Sequence, residues 1–358
     1  MIFYNIFSDM NVVIDEKIPY LKDALEAMGH KVLSKPGVAI NASDVADAEA
    51  LFVRTRTRCD ASLLNGSRVR FIGTATIGYD HIDSVFCADK GIMWTSAAGC
   101  NSGAVLQYVQ SVVYSWAKDR GVSLEGLSMG VVGVGVIGSK VAAWAREAGM
   151  QVLLNDPPRA QREGGAGFVP LSKIARECDI ITFHPTLSSA GEFPSYHLAD
   201  AGFMASLRKC RLLINASRGP VVDNKALLEA MERGAVGDVV LDVWEDEPKI
   251  DECLLNKVYI GTPHIAGYSA EGKMNATRQV LEAFASFSGH DGELPLPAML
   301  PPHPDAIRAS SLADALLQIY SPQIDSLGLK ENPAAFEELR NNYMLRREPS
   351  SYKLICKK

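Results

Sequence analysis

The stretch Val131–Gly138, VVGVGVIG, decides the fold, because in it an apolar run enters a Gly-x-Gly-x-x-Gly turn. Apolar residues at helical spacing follow over Ser139–Arg146, and a second apolar run, Gln151–Asn155, ends at Asp156. This order of strand, glycine turn, helix and acid-capped strand is typical of a Rossmann-type dinucleotide site. A glycine triplet alone also occurs in ordinary structural turns, so the two strands and the acid in register are what favour a dinucleotide.

Each glycine of this turn has its own expected task. Gly133 makes the tight turn, Gly135 lets the backbone approach a pyrophosphate, and Gly138 lets the helix pack closely on the strand. The start of the helix, at Val136 and Ile137, offers free N–H groups and a partial positive charge to the phosphates. These five residues are therefore predicted to bind the cofactor.

Asp156 favours NAD over NADP as that cofactor. It lies 18 residues past Gly138, where an acid accepts hydrogen bonds from the adenosine ribose. The same carboxylate repels the 2′-phosphate of NADP. Arg159, close by in sequence, argues weakly in the other direction, because an arginine can accommodate a 2′-phosphate.

The length and charge of the chain exclude several classes of protein. The chain has 358 residues, enough for two or three domains. Its net charge of −6 argues against binding to nucleic acid or to an anionic membrane. No apolar run approaches the roughly 20 residues that span a bilayer. Met1 to Asp9 lack the features of a signal peptide and are expected to be an extension outside the fold.

The spacing of the cysteines and histidines argues against metal sites and disulfide bonds. The seven cysteines are scattered and include no Cys-x-x-Cys pair, which argues against a zinc knuckle or a disulfide framework and favours a reducing compartment. The seven histidines show no metal-ligand spacing, so we expect no metal site. The protein is accordingly predicted to be cytoplasmic.

Strands alternate with helices along most of the chain, which predicts parallel sheets covered by helices. We therefore predict an α/β protein with two doubly wound parallel-sheet domains, one flavodoxin-like and one Rossmann, and a small α+β C-terminal domain. A long helix is expected from about Ser102 to Arg120. The other expected strands are Val12–Ile14, Lys31–Leu33, Ala50–Arg54, Val69–Thr74, Ile180–Phe183, Leu212–Asn215, Val239–Asp242 and Val258–Ile260.

The C-terminal region is predicted to contain helical segments around 309–320 and 333–346 and a final strand, Tyr352–Cys356. A single strand is not stable alone, so this one needs a partner strand from elsewhere in the chain or from another subunit. The predicted domains are 10–100 with 268–290, 101–267, and 291–358.

Three polar residues that follow predicted strands are candidates for chemistry, because ligands of open α/β sheets bind beyond the carboxyl ends of the strands. His264 suits a base that removes a hydroxyl proton. Glu247 can hydrogen-bond that imidazole, and Arg218 can hold a substrate carboxylate through two parallel hydrogen bonds. Taken singly, such residues are more often surface, turn or ion-pairing residues. Their common place downstream of the glycine turn favours the catalytic interpretation.

Several motifs resemble those of the D-2-hydroxyacid dehydrogenase family. Besides the glycine turn, they are Thr74–Asp83 (TATIGYDHID), Asn215–Gly219 (NASRG), Asp242–Pro248 (DVWEDEP) and Pro263–Gly267 (PHIAG). A narrower resemblance, to family members that act on 4-phospho-D-erythronate, rests on the segments Ser96–Asn101, Asn155–Ala160, His264–Lys273 and Leu339–Glu348.

The resemblance implies NAD-dependent oxidation of 4-phospho-D-erythronate at C2 to the 2-oxo acid, in pyridoxal 5′-phosphate biosynthesis. It implies that Arg218, Glu247 and His264 are catalytic, with His264 exchanging the proton. It also implies a substrate-binding lid role for the first domain, an NAD-binding role for 101–267, and homodimerisation through 291–358. The residues implied to line the NAD site are Asp156, Pro185, Ala216, Ser217, Arg218, Asp242 and Gly267, and those implied to contact the substrate are Thr55, Thr76 and Tyr268.

The chain departs from the family pattern in two places. The family usually reads His-Thr-Pro-Leu after the third strand of the nucleotide domain, whereas this chain reads HPTL over 184–187. Pro185 thus stands where a threonine normally contacts the cofactor. The chain also ends at Lys358, earlier than the resemblance leads us to expect, so the expected homodimer depends on a shortened C-terminal domain.

A phosphorylated substrate requires cations. Arg54, Arg56 and Arg58 lie at the end of a predicted strand and, if extended, share one face. Arg54 is the favoured phosphate ligand because it directly precedes a threonine implied to contact the substrate. Arg346 and Arg347 form a second candidate pair.

The sequence leaves two alternative functions open. The first is oxidation of another 2-hydroxy acid, such as glycerate, 3-phosphoglycerate or a bulky 2-hydroxy acid, although Tyr268 and the C-terminal segment argue against it. The second is that of an NAD-sensing binding protein or corepressor with the same fold, and the sequence argues only weakly against this function.

Overall fold

The computed structural model describes residues 9–297 and 300–356. The expected N-terminal extension, apart from Asp9, lies outside the described residues. The chain divides into two compact units, one formed by the residues up to Asn101 with Ser269–Pro302, the other by Ser102–Tyr268 with the residues from His303 onward. No described helix is both long and apolar enough to cross a membrane.

The first unit contains one parallel sheet of five strands: β1 Asn11–Asp15, β2 Lys31–Lys35, β3 Ala50–Val53, β4 Phe71–Thr74 and β5 Met93–Ser96. Their order is β2-β1-β3-β4-β5, which is the flavodoxin-like order. Every residue of β3 and β4 is buried, as expected for central strands covered on both faces. The helices of this unit are α1 Leu21–Ala27, α2 Ala42–Val45, α3 Ala61–Leu64, α4 Ser84–Lys90 and the long helix Ala270–Ser288.

The second unit contains a parallel sheet of six strands: β6 Ser128–Val132, β7 Gln151–Asn155, β8 Ile180–Phe183, β9 Leu212–Asn215, β10 Asp238–Leu241 and β11 Ile260–Gly261. Their order is β7-β6-β8-β9-β10-β11. The helices are α5 Ser102–Arg120, α6 Val136–Glu147, α7 Pro157–Glu163, α8 Leu171–Glu177, α9 Ala201–Ser206, α10 Asn224–Glu232 and α11 Glu252–Lys257.

The third strand of the Rossmann order is reduced to a single bridge. In the order 3-2-1-4-5-6 another strand lies beside β7, and here only Leu154 and Phe168 pair in parallel. The next residue, Val169, donates its N–H to the Leu154 carbonyl oxygen at 2.7 Å. The preceding Gly164, Gly165 and Gly167 all have positive φ, so the chain reaches this edge in turns rather than as a strand.

The C-terminal region adds a small parallel sheet, β12 Ala306–Ala309 with β13 Lys353–Cys356. The predicted final strand therefore finds its partner within the same chain. With the long helix Ala270–Ser288 numbered α12, the remaining helices are α13 Leu312–Ile319, α14 Pro322–Glu331 and α15 Phe336–Asn341. Short 3₁₀ turns lie at Gly37–Ala39, Gly219–Val221, Pro333–Ala335 and Pro349–Ser351.

The structure of this region differs from the sequence prediction in two places. It contains a helix that was not predicted, α14, which starts at Pro322, a residue well suited to the first turn of a helix. The helix predicted over 333–346 is wrong beyond Asn341, where α15 ends. The chain leaves the helix there, and Arg346 enters the protein interior, where it is 8% exposed.

Apolar side chains cover both faces of the six-stranded sheet. Tyr108 and Trp116 of α5 belong to the core on one face, and Phe183 and Trp244 belong to the core on the other. Every residue of β6, β8 and β9 is buried. This burial explains the continuous apolar runs in the sequence and fixes the carboxyl ends of the strands.

Candidate active site

The glycine turn between β6 and α6 leaves room for a ligand at one glycine and none at the other two. A Cβ on Gly133, whose φ is +84°, would overlap the backbone of Pro185, and a Cβ on Gly138 would overlap the carbonyl oxygen of Gly133. Nothing lies within 4 Å of the place where a Cβ on Gly135 would stand. These are the three roles expected for the glycines of a dinucleotide turn.

The start of α6 is free to bind an anion. Its N-cap is Gly135, which provides no side-chain cap, so the first N–H groups of the helix have no partner from a capping side chain. Val136, the first helical residue, is 57% exposed. The uncapped helix start and the open space at Gly135 together fit the pyrophosphate of a dinucleotide.

Asp156 is fixed at the end of β7, where the sequence predicts a ribose ligand. Its Oδ2 accepts from the N–H of Val134 at 2.7 Å, and its Oδ1 accepts from the N–H of Arg159 at 2.9 Å. The Arg159 guanidinium donates to the Val134 carbonyl oxygen at 2.7 Å and to Glu163 at 2.7 Å. The acid therefore ties the glycine turn to the start of α7, and the nearby arginine is already engaged.

The segment with the unusual His-Pro-Thr order lies next to the glycine turn and begins with His184. The Nε2 of His184 lies 2.9 Å from the hydroxyl of Thr182, and burial lowers the pKa of His184 to about 4. Its Nδ1 has no hydrogen-bond partner among the described residues. Pro185 packs against Gly133, so it borders the turn, and its predicted contact with the cofactor stays a prediction.

The carboxyl ends of β9, β10 and β11 bring the candidate catalytic residues to one edge of the sheet. Leu241 pairs with Asn215 on one side and with Gly261 on the other. Arg218 and His264 each follow within three residues of these pairs. The segments that carry Arg218, Glu247 and His264 therefore start from neighbouring strand ends, as a single site requires.

His264 and Glu247 form a direct pair at this edge. The Nδ1 of His264 lies 2.8 Å from Oε2 of Glu247, and Oε1 of Glu247 accepts from the N–H of Trp244 at 2.9 Å. Burial raises the pKa of Glu247, but the hydrogen bond and charge of His264 and the Trp244 N–H outweigh it, and the pKa is lowered. An ionised Glu247 fixes Nδ1 as the protonated nitrogen and leaves Nε2 to act as a base.

Asp242 holds the segment that carries His264. It is 1% exposed. Its Oδ1 accepts from the hydroxyl of Thr262 at 2.7 Å and the N–H of Ile265 at 2.8 Å, and its Oδ2 accepts from the N–H of Ala266 at 2.9 Å. We call residues 264–267 the histidine loop. Both oxygens of Asp242 serve this loop, and its predicted contact with NAD stays a prediction.

Arg218 has a half-buried guanidinium and lies in the turn that follows β9. Among the described residues no carboxylate lies within ion-pair distance of it, and its Nη1 donates to the Ser217 carbonyl oxygen at 2.8 Å. Asn215 shapes the turn, because its Nδ2 donates to the Arg218 carbonyl oxygen at 2.9 Å and its Oδ1 accepts from Ser217. A Cβ on Gly219 would overlap the Trp244 carbonyl oxygen, which places Arg218 beside the segment that bears Glu247.

The other residues predicted to contact cofactor or substrate in this unit lie after β9 and in or next to the histidine loop. Ala216, which is 9% exposed, and Ser217 follow β9, and Gly267 ends the histidine loop. Tyr268 comes next and packs edge-on against Tyr343, with ring centroids 6.0 Å apart. These predicted roles are compatible with their positions and stay predictions.

In the first unit, the residues predicted to contact the substrate follow β3 and β4. The Nε of Arg54 lies 3.6 Å from Oδ2 of Asp15, and Thr55 is exposed. The hydroxyl of Thr76 donates to the Gly78 carbonyl oxygen at 2.9 Å. The guanidinium of Arg54 therefore already has one acidic neighbour within its own unit.

The structure excludes one of the alternative phosphate ligands. Arg346 is 8% exposed and its guanidinium binds backbone carbonyl oxygens, so it does not reach solvent as a phosphate ligand must. Among the other candidates, Arg58 is paired with Asp60 at 2.7 Å.

Sequence reasoning missed an ionic cluster in the second unit. The Nε2 of His197 lies 2.7 Å from Glu245, and its Nδ1 lies 3.6 Å from Asp223. The three ligand atoms lie within 4.8 Å of one another. Each acid also accepts a backbone N–H, that of Asn224 for Glu245 and that of Ala226 for Asp223, so the cluster is satisfied as it stands. Its members are too far apart in sequence for ligand spacing to reveal them.

Comparison with known proteins gives a family and two named relatives. The description “D-isomer specific 2-hydroxyacid dehydrogenase, NAD binding domain” matches residues 101–266. The erythronate-4-phosphate dehydrogenase of Bacteroides fragilis is 50% identical over 351 residues, which cover 98% of this chain and 100% of that protein. The erythronate-4-phosphate dehydrogenase of Edwardsiella ictaluri is 42% identical over 357 residues, which cover 97% of this chain and 95% of that protein.

Solved structures share the fold. The TT0316 protein from Thermus thermophilus is similar with a TM-score of 0.65 at 25% identity, covering 81% of this chain and 100% of its own. A glyoxylate reductase from Paecilomyes thermophila is similar with a TM-score of 0.66 at 23% identity, covering 81% of this chain and 98% of its own. These similarities and the two parallel sheets confirm the predicted fold class.

The glycine turn generates the first prediction. Gly138→Ala should lower the free energy of unfolding by about 1–3 kcal/mol, because its methyl group overlaps a backbone oxygen. Gly135→Ala should leave that free energy within about 0.5 kcal/mol of wild type and weaken NADH binding at least about tenfold. Thermal unfolding and NADH fluorescence titration measure the two effects. Wild-type affinity for NADH in Gly135→Ala would contradict the assignment of Gly135 to the cofactor.

The lowered pKa of His184 generates a prediction for pH. Between pH 6.5 and about pH 4 the unfolded chain takes up a proton at this residue and the folded chain does not, so stability falls as pH falls. The loss should reach roughly 3 kcal/mol at pH 4, since one pKa unit corresponds to about 1.4 kcal/mol. In His184→Gln this part of the loss should be absent. Urea unfolding of both proteins from pH 7 to pH 4 checks it, and parallel curves would show that folding does not lower the pKa of His184.

Proposed function

Because the chain belongs to the D-isomer specific 2-hydroxyacid dehydrogenase family, we propose that it oxidises 4-phospho-D-erythronate at C2 to the 2-oxo acid, with NAD as coenzyme, in pyridoxal 5′-phosphate biosynthesis. The 2.8 Å pair of His264 and Glu247 beyond β11 carries the proposal. The names of relatives that are 42–50% identical over nearly the whole chain support the substrate.

His264 is the proposed base. Its Nε2 takes the proton of the C2 hydroxyl, while Glu247, bonded to Nδ1, stabilises the imidazolium that results. Bound NAD supplies the hydride acceptor. The lowered pKa of Glu247 keeps the carboxylate charged at neutral pH, so the pair is set for proton removal before the substrate arrives.

Arg218 is the proposed ligand of the substrate carboxylate. Its half-buried guanidinium has no carboxylate partner among the described residues, so its charge is available to an anionic substrate. Arginine binds a carboxylate through two parallel hydrogen bonds and so orients the neighbouring carbon. Orientation of this kind is worth several orders of magnitude in rate.

The proposed substrate contacts outside the catalytic set are Arg54, Thr55 and Thr76 of the first unit and Tyr268 of the second. Arg54 is the proposed phosphate ligand. Its 3.6 Å contact with Asp15 orients the guanidinium without the close bidentate pairing that would occupy it fully.

Asp156 supports NAD rather than NADP. Its carboxylate is held at the end of β7 by two backbone N–H groups, and the nearby Arg159 is bound to Glu163 and to a backbone carbonyl. A 2′-phosphate at this place would therefore meet a fixed negative charge and no free arginine.

We also propose a cytoplasmic homodimer formed through the C-terminal region. The free cysteines agree with a reducing compartment. Exposed apolar side chains on and after α14, namely Ile324, Leu327, Met344 and Leu345, are of the kind that subunit contacts cover.

The direct test is an assay with 4-phospho-D-erythronate, NAD and a 2-oxo acid acceptor, which covers the case in which bound NADH is not released. We expect conversion to the 2-oxo acid by the wild type. His264→Asn, which keeps a residue that tolerates positive φ, should lower kcat about 10²- to 10⁴-fold. Turnover of glycerate or 3-phosphoglycerate in preference would assign another substrate, and absence of any turnover would favour an NAD-sensing binding protein.

The same assay tests the phosphate ligand. In Arg54→Met the KM for 4-phospho-D-erythronate should rise about tenfold or more, while the slow reaction with unphosphorylated erythronate stays unchanged, because only the phosphate contact is lost. Arg58→Met, whose guanidinium is exposed and paired with Asp60, is the control. An unchanged KM in Arg54→Met would overturn this assignment.

Coenzyme choice rests on the charge of Asp156 and is tested separately. Asn also caps helices well, so Asp156→Asn keeps the start of α7 and removes the charge. We expect the ratio of kcat/KM with NAD to kcat/KM with NADP to fall by about tenfold or more in this variant. A wild type that uses both coenzymes equally would contradict the role given to Asp156.

A further inference from the structure

Arg346 is a buried guanidinium that binds the backbone of two distant segments. Its Nη1 donates to the carbonyl oxygen of Ile265 at 3.0 Å, and its Nη2 donates to the carbonyl oxygens of Ala266 and, at 3.1 Å, Ala104. Its Nε donates to Oε1 of Gln107 at 3.1 Å. One planar group from the C-terminal segment thus joins the histidine loop to helix α5.

The surroundings of Arg346 argue against a role in stability alone. Among the described residues no carboxylate lies within ion-pair distance of it. The guanidinium stacks over Tyr320, with its carbon 4.3 Å from the ring centroid, and also reaches the hydroxyl of Tyr343 at 3.3 Å. Burying a cation is costly, and an apolar side chain of similar volume often stabilises as well or better. The distinctive contribution of arginine here is its rigid set of donors.

The histidine loop needs such donors because its backbone is strained. His264 has a φ of 58°, a left-handed conformation that non-glycine residues hold only where their surroundings impose it. The N–H groups of Ile265 and Ala266 donate to Asp242, and the carbonyl oxygens of the same two residues accept from Arg346. The backbone that follows His264 is therefore fixed from both sides.

We propose that Arg346 is the positioning residue of the base: it holds the histidine loop so that the imidazole of His264 keeps its bond to Glu247 and aims Nε2 at the substrate. The inference rests on the proposed function of His264. It gives the C-terminal segment a part in catalysis that is distinct from subunit contact, because Arg346, the histidine loop and α5 belong to one unit of one chain.

The test compares Arg346→Lys with Lys330→Met. Lysine keeps the charge of Arg346 and loses the planar fork. Lys330 is the matched control, because it too anchors the C-terminal segment through a backbone carbonyl, that of Val258, without touching the histidine loop. We expect Arg346→Lys to lower kcat about 10- to 100-fold with the KM for substrate changed less than about threefold. Lys330→Met should lower the unfolding temperature and leave kcat within about twofold.

Proton NMR of protein labelled with ¹⁵N-histidine supplies a readout that does not depend on turnover. The Nδ1 proton of His264, held by Glu247, should give a slowly exchanging downfield signal that is identified by its loss in His264→Asn. We expect Arg346→Lys to broaden or remove this signal, and Lys330→Met to keep it. An Arg346→Lys protein that retains both the signal and the wild-type kcat would overturn the proposal.

A second variant keeps the proposal testable if Arg346→Lys does not fold. Gln107→Met removes the acceptor of Nε and leaves the guanidinium in place. A severalfold loss of kcat at unchanged KM, with a broadened His264 signal, would support the positioning role, and wild-type values would overturn it. A wild type that does not oxidise 4-phospho-D-erythronate would refute the proposed function, while the NMR comparison would still decide whether Arg346 positions His264.

Discussion

The buried carboxylate of Asp242 is the constraint on which the active-site edge depends. It accepts from Thr262, Ile265 and Ala266, and burial raises its pKa despite these three donors. A buried acid is stable only when its oxygens are satisfied. The backbone after β11 must therefore fold back over the end of β10, and this fold places His264 in its left-handed conformation. The position of the imidazole follows from a requirement of the interior rather than from the substrate.

The remaining features of the site extend this arrangement. Trp244 joins the segment of Glu247 to the same strands by donating its indole N–H to the Thr262 carbonyl oxygen at 3.0 Å. Gly219 packs against the Trp244 backbone and brings Arg218 alongside. Rigid strands and buried polar contacts thus fix the backbone of these segments. The half-buried side chains of Arg218, Glu247 and His264 are the ones proposed to take part in the reaction. Such a separation limits the reorganisation that the reaction requires.

The features that could be predicted from the sequence are those that depend on short stretches of chain or on family motifs. The glycine turn, the apolar strands and the pairing of Glu247 with His264 each follow from residues close in sequence or from a resemblance. The contacts from which we propose a role for Arg346 were not predictable, because those with Ala266 and Gln107 span 80 and 239 residues. The apolar spacing over 333–346 is compatible with a helix, but α15 ends at Asn341, and the chain then brings Arg346 to the carbonyl oxygens of the histidine loop.

The most direct test of oxidation by hydride transfer is the fate of the hydrogen at C2. With 4-phospho-D-erythronate deuterated at C2, we expect a single turnover to transfer the deuterium to the nicotinamide ring of bound coenzyme, as mass spectrometry of the released NADH would show. The hydroxyl proton, taken by His264, should exchange with water. Deuterium found in the solvent, with none on the coenzyme, would contradict oxidation by hydride transfer at this site.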